Sequence, residues 1–121
     1  MAEDDRDLQK LYELLLDMAG FQVLGIANNG EEAIKMFSSF TVKPDIIILD
    51  YRMPIKNGLE ALKEILQIDH NSRIIFASAD KTIKDEVYLN GAMGFLDKPF
   101  THEKLLNTLN ECLSSVHLTH L

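Results

Sequence analysis

Three polar residues stand where apolar strands are predicted to end, and together their side chains could perform phosphoryl chemistry. Asp50 closes the run IIILD, Ser78 follows RIIFA, and Lys98 follows GFLD. An ionised carboxylate is a competent nucleophile toward phosphorus and would form an aspartyl phosphate. A lysine can offset the repulsion between that carboxylate and an anionic donor, and a hydroxyl can hydrogen-bond a phosphoryl oxygen. These residue types are those of a phosphate-accepting site.

An acidic cluster near the start of the chain, Glu3-Asp4-Asp5, could add a metal ion to this site. Mg²⁺ prefers a few carboxylates together with phosphate oxygens and water. The alternative is that the cluster caps the helix that follows it, because acids stabilise helix N-termini. Asp5 or Asp7 fits the capping role, whereas Glu3 and Asp4 are predicted to bind the metal.

Helices and strands are predicted to alternate along the chain. Strands are expected at residues 22–27, 45–50, 73–79 and 94–99, and helices at 8–19, 31–40, 58–68, 82–89 and from a Thr101 cap toward residue 113 or beyond. The strand before Asp50 is apolar without alternation, which indicates burial on both faces. The pattern predicts an α/β fold, a parallel sheet with helices on both faces and right-handed crossovers. In such sheets the working site lies beyond the carboxyl ends of the strands.

Composition limits the classes of function. The 121 residues suit a single domain, residues 1–121, and the net charge of −7 argues against direct nucleic-acid binding. The single cysteine, Cys112, lies in an apolar helical pattern and is predicted to be buried filler. No apolar run is long enough to span a bilayer, and the acidic start is the wrong sign for a signal peptide. The expectation is a cytoplasmic protein without a membrane segment.

The ordered set of motifs resembles a response-regulator receiver domain of two-component signalling, in the CheY-like superfamily. The residues that carry the resemblance are Glu3-Asp4, LDYRMP with Asp50, Gly58 in the following loop, FASAD with Ser78, and GAMGFLDKPF with Phe95 and Lys98. No single motif is specific, but their joint order and their strand-end placement are. The resemblance covers nearly the whole chain and implies a flavodoxin-like doubly wound sheet in the order 2-1-3-4-5.

The resemblance also implies roles for individual residues. Asp50 would be the phosphoacceptor, and Asp4, Asp50 and the backbone carbonyl of Arg52 would bind Mg²⁺ (or Mn²⁺) directly, with Glu3 acting mainly through water. The bond between Lys98 and Pro99 would be cis. Phosphorylation would draw Ser78 inward and let Phe95 rotate behind it, although a packing role is the safer prediction for Phe95.

Partners follow from the same resemblance. A sensor histidine kinase or a phosphotransfer protein would supply the phosphoryl group. An effector protein would bind the surface formed by the fourth helix, the fifth strand and the fifth helix of the fold. That surface would be remodelled because a local charge biases a two-state element.

Arg52 and Asp80 are predicted to modulate the lifetime of the phosphorylated state. Each stands two residues after a site residue, Asp50 and Ser78 respectively. The hypothesis is that the two side chains approach each other over the phosphoryl site and slow hydrolysis by water. Replacing both by alanine should then shorten that lifetime.

The chain departs from the receiver pattern at its start, where only Met1 and Ala2 precede Glu3. A receiver begins with a strand of about five or six apolar residues, and its loss would leave unpaired N–H and C=O groups on both neighbouring strands. The expectation is that the first strand is largely missing through truncation. The alternative is that a partner supplies a strand, for example by exchange of the tail VHLTHL (residues 116–121) in a dimer.

Other classes of function were weighed against the receiver. A phosphatase with an aspartate nucleophile would need a second aspartate two residues on, where Arg52 stands. A flavin or nucleotide binder lacks its glycine-rich motif here. The stronger alternative is a pseudo-receiver, a protein-interaction module that works without phosphorylation. In either receiver role the chain would be a regulator rather than an enzyme, with at most self-phosphorylation from small donors and slow autodephosphorylation.

Overall fold

The computed structural model describes residues 1–118, with side chains described through residue 114. The strands are β1 (Ile47–Asp50), β2 (Ile74–Ser78) and β3 (Gly94–Asp97). The helices are α1 (Arg6–Met18), α2 (Gly30–Ser39), α3 (Gly58–Ile68), α4 (Lys84–Leu89) and α5 (His102–Leu118), with a 3₁₀ turn at Lys81–Ile83 before α4. These elements match the predicted alternation, with differences at the boundaries and in the first two strands.

The sheet is parallel, and β1, β2 and β3 lie side by side in that order. Ala2 extends the sheet on the other side of β1, because it forms parallel bridges to both Leu49 and Ala27. The order across the sheet is therefore Ala27, Ala2, β1, β2, β3, which corresponds to the predicted order 2-1-3-4-5. The chain has the flavodoxin-like doubly wound fold.

Met1, Ala2 and Glu3 form the part of the first strand that the described residues contain. The Ala2 N–H donates to the Ile48 carbonyl (2.8 Å), and the Asp50 N–H donates to the Ala2 carbonyl (3.0 Å). On the opposite side, the residues flanking Ala2 exchange hydrogen bonds with Ala27. This double pairing fixes the backbone directly ahead of Asp4.

The prediction of a strand over residues 22–27 is wrong for most of that segment, where only Ala27 forms a bridge. In this sheet order the segment can pair only with the first strand, which in the described residues reaches back to Met1. The Met1 amine donates to the Gly25 carbonyl (3.1 Å), and burial lowers the pKa of this amine to about 6. A strand needs a hydrogen-bonded neighbouring strand along its length. Among the described residues, the pairing of this segment ends at Gly25, so residues 22–24 do not form a strand.

Each face of the sheet carries its own core, as predicted for helices on both sides. One cluster joins the sheet to α2, α3 and α4 and includes Leu49, Phe76 and Phe95. The other joins it to α1 and α5 and includes Ile48, Leu96 and the buried Cys112. Because neighbouring side chains along β1 point to opposite faces, an unbroken apolar run serves both cores.

Local polar side chains fix where the helices begin. Asp5 caps α1, and the Thr101 hydroxyl accepts a hydrogen bond from the Lys104 N–H (3.1 Å), as predicted. The helix predicted from residue 82 is preceded by a 3₁₀ turn instead, because Asp80 accepts from the Thr82 N–H (3.0 Å) and starts that turn. The helix α4 then continues from this turn without a side-chain cap of its own.

Two further expectations concern membranes and the tail. Among the described residues, none of the helices combines the length and the apolar character needed to cross a bilayer. The predicted tail exchange involves residues 116–121, of which 116–118 belong to α5. Residues 119–121 lie outside the described residues, so the exchange stays a prediction.

Candidate functional site

Three carboxylates converge at the carboxyl end of the sheet. Glu3, Asp4 and Asp50 each place one oxygen within 4.8 Å of the other two. Glu3 and Asp50 are buried, with 2% and 8% of their surface exposed, whereas Asp4 faces solvent. The structure thus brings together the three acidic residues that the sequence proposes as metal ligands.

Asp50 is held in place by the strand before it and the loop after it. The loop returns to the sheet at Gly58, whose N–H donates to the Tyr51 carbonyl (2.9 Å). A Cβ atom at position 58 would lie 2.2 Å from the Asp50 carbonyl oxygen and 2.8 Å from the Phe76 ring. Such distances are far below van der Waals contact, so only glycine allows α3 to start this close to the site.

Lys98 reaches the acidic cluster from the end of β3. The backbone N–H of Lys98 donates to the Ser78 carbonyl (3.0 Å). The Lys98 Nζ lies 2.5 Å from Glu3 Oε1 and 3.4 Å from Asp50 Oδ1. The bond between Lys98 and Pro99 is cis, as the resemblance implies. The resemblance implies that Glu3 binds the metal through water. In this structure the Glu3 carboxylate lies closer to the lysine ammonium than the Asp50 carboxylate does.

Burial and charge together set the protonation of these groups. Burial, and then the neighbouring Glu3 carboxylate, raises the pKa of Asp50 to about 6 against the opposing effect of Lys98. Burial lowers the pKa of Lys98, but the Glu3 hydrogen bond and the Asp50 charge outweigh that effect and leave its pKa raised. Lys98 is therefore a permanent cation at neutral pH, and the Asp50 carboxylate gains from any further positive charge.

Ser78 and Phe95 lie beside this cluster on β2 and β3. Ser78 is buried at the carboxyl end of β2, opposite Asp97, and its Oγ accepts a hydrogen bond from the Asp80 N–H (3.0 Å). Phe95 is buried in the core with the Lys84 ammonium 5.9 Å from its ring centre. The packing role of Phe95 is confirmed, and the switching roles of both residues stay predictions.

Arg52 and Asp80 stand two residues after Asp50 and Ser78 along the chain. Arg52 is exposed, and Asp80 accepts hydrogen bonds from both the N–H and the hydroxyl of Thr82. Those bonds, with a smaller contribution from the Arg52 charge, lower the pKa of Asp80. The two side chains are therefore electrostatically coupled, although the described ion pairs do not include one between them.

The sequence analysis missed the residues that hold Glu3 in position. The Gln9 amide donates to the Glu3 carbonyl and to Asn28 Oδ1. Tyr12 packs on Phe100, with ring centres 5.2 Å apart, and its pKa is raised by burial and by the nearby acids. Gln9 lies about one turn into α1 and Tyr12 about two turns, on the same face of the helix. Only this helical spacing in the sequence could have indicated that they lie near the site.

The donor set fits a hard divalent cation. Mg²⁺ takes oxygen ligands and keeps several waters, and here two buried carboxylates and one exposed carboxylate converge on one point. The exposed Asp4 leaves the cluster open to solvent on one side, where water or a phosphoryl oxygen can approach. The two buried acids share a single lysine in this structure, so they gain from a second cation.

Comparisons with known proteins agree with this geometry. A family model described as the response regulator receiver domain matches residues 1–110. The chain is 34% identical to the chemotaxis protein CheY of Thermotoga maritima, over 92% of both chains. It is also 36% identical to the transcriptional regulatory protein CpxR of Klebsiella pneumoniae, where the match covers 97% of this chain but 49% of that protein.

Solved structures show the same similarity. The fold matches the CheX-CheY-BeF3-Mg complex of Borrelia burgdorferi with a TM-score of 0.85 and 28% identity, over 89% of this chain and 82% of that one. It matches the response regulator TrrA of Thermotoga maritima in complex with Mg(2+)-BeF with a TM-score of 0.83 and 28% identity, over 93% and 95%. The chain belongs to the family of response regulator receiver domains of two-component systems.

Proposed function

We propose that this receiver domain accepts a phosphoryl group on Asp50 in the presence of Mg²⁺ and passes the signal to an effector protein. A sensor histidine kinase or a phosphotransfer protein is the donor. One observation carries the proposal: three carboxylates and the Lys98 ammonium converge at the carboxyl end of a parallel sheet. The proposal gains support from a similar structure, since TrrA was solved in complex with Mg(2+)-BeF.

The transfer proceeds by attack of one Asp50 oxygen on the phosphorus of a phosphohistidine. The oxygen–phosphorus bond forms as the phosphorus–nitrogen bond breaks, and the electron pair returns to the imidazole nitrogen, which takes a proton from solvent. Lys98 lies 3.4 Å from Asp50 Oδ1 and can donate to a phosphoryl oxygen. Its donation offsets the repulsion between the two anions as they meet.

The acidic cluster and one backbone group would hold the metal ion. Asp4, Asp50 and the carbonyl of Arg52 are the proposed direct ligands, and Glu3 is the proposed outer ligand through water. A bound Mg²⁺ supplies positive charge to the phosphoryl oxygens. In this structure Lys98 forms an ion pair with Glu3. Once a metal ion compensates the Glu3 carboxylate, the lysine can turn toward the phosphoryl group.

The signal is proposed to leave the site through Ser78 and Phe95. The Ser78 hydroxyl now accepts from the Asp80 N–H, and its turn toward a phosphoryl oxygen would break that bond. Phe95 lies on β3 next to α4, so its rotation would change the surface of α4, β3 and α5. An effector that binds this surface would sense the change.

Acetyl phosphate with Mg²⁺ tests the central step. The intact mass should rise by one phosphoryl group, and the gain should be absent in Asp50→Asn and in excess EDTA. Asp97→Asn, which removes an exposed carboxylate at the end of β3, is the matched control and should be labelled like the wild type. A wild-type chain that gains no mass, or an Asp50→Asn chain that gains it equally, overturns the proposal.

Arg52 and Asp80 are proposed to lengthen the lifetime of the phosphorylated state by shielding it from water. The Arg52 charge contributes to the lowered pKa of Asp80, which supports their proximity. Replacement of both by alanine should shorten that lifetime, measured by loss of the mass label. Because Asp80 also starts the 3₁₀ turn, Asp80→Asn keeps a capping side chain and separates charge from structure. An unchanged lifetime, both in the double alanine variant and in Arg52→Ala combined with Asp80→Asn, contradicts the role.

A further inference from the structure

Asp4 is the acid of the cluster whose side chain no other side chain holds. Glu3 and Asp50 both form ion pairs with Lys98. Among the described residues, the Asp4 carboxylate takes part in neither an ion pair nor a hydrogen bond, and it faces solvent. The direction in which this carboxylate points is therefore set by the backbone that carries it.

The backbone at Asp4 joins the sheet to α1 in a single step. On one side, the Glu3 N–H donates to the Ala27 carbonyl (3.0 Å), so Glu3 belongs to the sheet. On the other side, Asp5 is the N-cap of α1, and its side chain accepts from two N–H groups of the first turn. Asp4 is the one residue between these two anchors.

A side chain bonds each of the two peptide groups next to Asp4. The peptide group after Asp4 ends in the Asp5 N–H, which donates to Glu3 Oε2 (3.2 Å). The peptide group before it begins with the Glu3 carbonyl, which accepts from the side-chain amide of Gln9. Because a peptide group is planar, the orientations of these two planes fix the φ and ψ angles of Asp4 and the direction of its Cβ. Gln9 therefore holds one of the two planes that aim the Asp4 carboxylate.

Gln9 is itself held in one orientation by two further side chains. Its Nε2 also donates to Asn28 Oδ1 (2.8 Å), and Asn28 Nδ2 donates to Glu32 Oε1 (3.3 Å). An amide nitrogen carries two hydrogens, so both hydrogens of Gln9 are used. The series begins at the Glu3 carbonyl and ends at a carboxylate, and both of these groups only accept. Turning either amide over would set oxygen against oxygen, so the bonds tie the peptide group ahead of Asp4 to the first turn of α2.

We propose that Gln9 is a positioning residue for the metal site, whose amide aims the Asp4 carboxylate at the point where Glu3 and Asp50 converge. The inference rests on the proposed function, in which Asp4 binds Mg²⁺ directly. Mg²⁺ demands near-ideal geometry from its ligands, and groups that orient a ligand through hydrogen bonds raise metal affinity. Because the glutamine amide is neutral, it orients the ligand without adding a positive charge that would repel the cation.

Gln9→Met tests the proposal on the full chain. Methionine keeps the length and the helix propensity of glutamine and removes both donated hydrogen bonds. The Kd for Mg²⁺, measured by calorimetry, should rise about tenfold. The Mg²⁺ concentration that gives half-maximal labelling by acetyl phosphate should rise by the same factor, and the maximal rate should fall by a smaller factor. Gln67→Met, an identical change at an exposed position of α3, is the matched control and should keep the wild-type Kd.

A double-mutant cycle with Asp4→Asn separates aim of the ligand from general stability. Asp4→Asn alone should weaken Mg²⁺ binding, because a charged ligand is lost. In that background Gln9→Met should change the Kd by about twofold or less, because Gln9 acts through Asp4. Urea unfolding in EDTA checks that each variant folds. Asn28→Ala removes one acceptor of the Gln9 amide and should weaken Mg²⁺ binding by a smaller factor than Gln9→Met, which provides a second test if Gln9→Met does not fold.

The outcomes distinguish this inference from the proposed function. A wild-type Kd in Gln9→Met and in Asn28→Ala, together with weaker binding by Asp4→Asn, overturns the inference alone. An equal rise in Kd with and without the Asp4 carboxylate also overturns it, because Gln9 would then act on the whole fold. A wild-type chain that does not bind Mg²⁺, or an Asp4→Asn chain that binds it as tightly as the wild type, overturns the proposed ligand set and this inference with it.

Discussion

The two ends of the sheet are built from the same segments, yet one is closed and the other is open. At the carboxyl end Ala2 is bridged to a segment on each side, and Glu3 forms an ion pair with Lys98. At the amino end a cavity of about 310 Å³ separates the same two edges.

The closed end is fixed by hydrogen bonds of Met1, Ala2 and Glu3 to the two neighbouring segments. These bonds hold the backbone directly ahead of Asp4, and the Lys98 ammonium holds the Glu3 side chain. The described residues that line the cavity include neither the three acids of the cluster nor Lys98. Substitutions at the two ends should therefore have different effects on stability and on the site.

The largest effect is expected from Lys98→Met, which breaks the closed end. The variant leaves the buried Glu3 and Asp50 carboxylates without their cation, and loss of one partner from a buried pair destabilises by about 3–5 kcal/mol. Urea unfolding at pH 7.5 in EDTA measures the loss. Lys63→Met, at an exposed position of α3, is the control and should change stability by less than about 0.5 kcal/mol.

Two additions sharpen this prediction. The double variant with Glu3→Gln should recover part of the loss, because one uncompensated charge is gone. Saturating Mg²⁺ should also recover part of it if the metal binds among these acids. A loss below about 1 kcal/mol for Lys98→Met would show that the pair contributes no more than a surface ion pair does.

The same glycine-to-alanine change should act differently at the two ends. At the closed end, a Cβ at Gly58 meets the Asp50 carbonyl oxygen at 2.2 Å, and backbone cannot yield easily. At the open end, a Cβ at Gly25 meets the sulfur of Met36 at 2.4 Å, and this flexible side chain lines the cavity and can move into it. Gly58→Ala should cost about 2 kcal/mol and Gly25→Ala less than about 1 kcal/mol.

Thermal unfolding of the two alanine variants measures that difference. Gly58→Ala should also slow labelling by acetyl phosphate, because the Asp50 backbone must shift, and Gly25→Ala should leave labelling unchanged. Equal losses of stability at the two positions would contradict the view that the open end has room to adjust.

Asp50→Asn should stabilise the metal-free protein in a pH-dependent manner. Burial raises the pKa of Asp50 from 3.8 to about 6 in the folded state, so the folded protein holds this proton more tightly than the unfolded chain. Stability from this group is present below about pH 4 and is lost as the pH rises through 6. The variant should therefore gain about 1–2 kcal/mol over the wild type at pH 7.5, after allowance for solvent screening.

That gain should shrink as the pH falls from 7 to 4, since the wild-type carboxyl becomes protonated. Urea titrations at several pH values in EDTA provide the measurement, with Asp97→Asn as the exposed control. Added Mg²⁺ should reverse the order of stability, because a cation favours the ionised Asp50. A gain that is constant between pH 4 and 7.5 would rule out the buried carboxyl as its source.

Much of the closed end was predictable from the sequence because its signals are local. Asp50, Ser78 and Lys98 each follow an apolar run, and parallel strands bring their ends together. The burial of Glu3 beside an exposed Asp4 was not predictable, since it depends on which side of the Ala2 bridge each residue faces. The same holds for the start of α4, where Asp80 and Thr82 are both capping residues and the 3₁₀ turn selects Asp80.

The open end was predictable only in part. Residues 22–27 carry a strand pattern, yet pairing decides whether a strand forms. The size of the cavity follows from how far α1, α2 and α5 close over the gap, and this is a property of the packed fold rather than of any segment.

The smallest effect is expected at Ile55, where the closed end holds local strain. Ile55 has φ of 69° and is the only non-glycine among the described residues with a positive φ. A β-branched side chain is disfavoured in this left-handed region by about 1–2 kcal/mol, whereas asparagine tolerates it. Because Ile55 is 76% exposed, its replacement removes little packing, and Ile55→Asn should stabilise the protein by about 1 kcal/mol. Val42→Asn, at a position 80% exposed with no positive φ, should stay within about 0.5 kcal/mol; equal changes in the two variants would place the gain in surface polarity rather than in the backbone of the loop after Asp50.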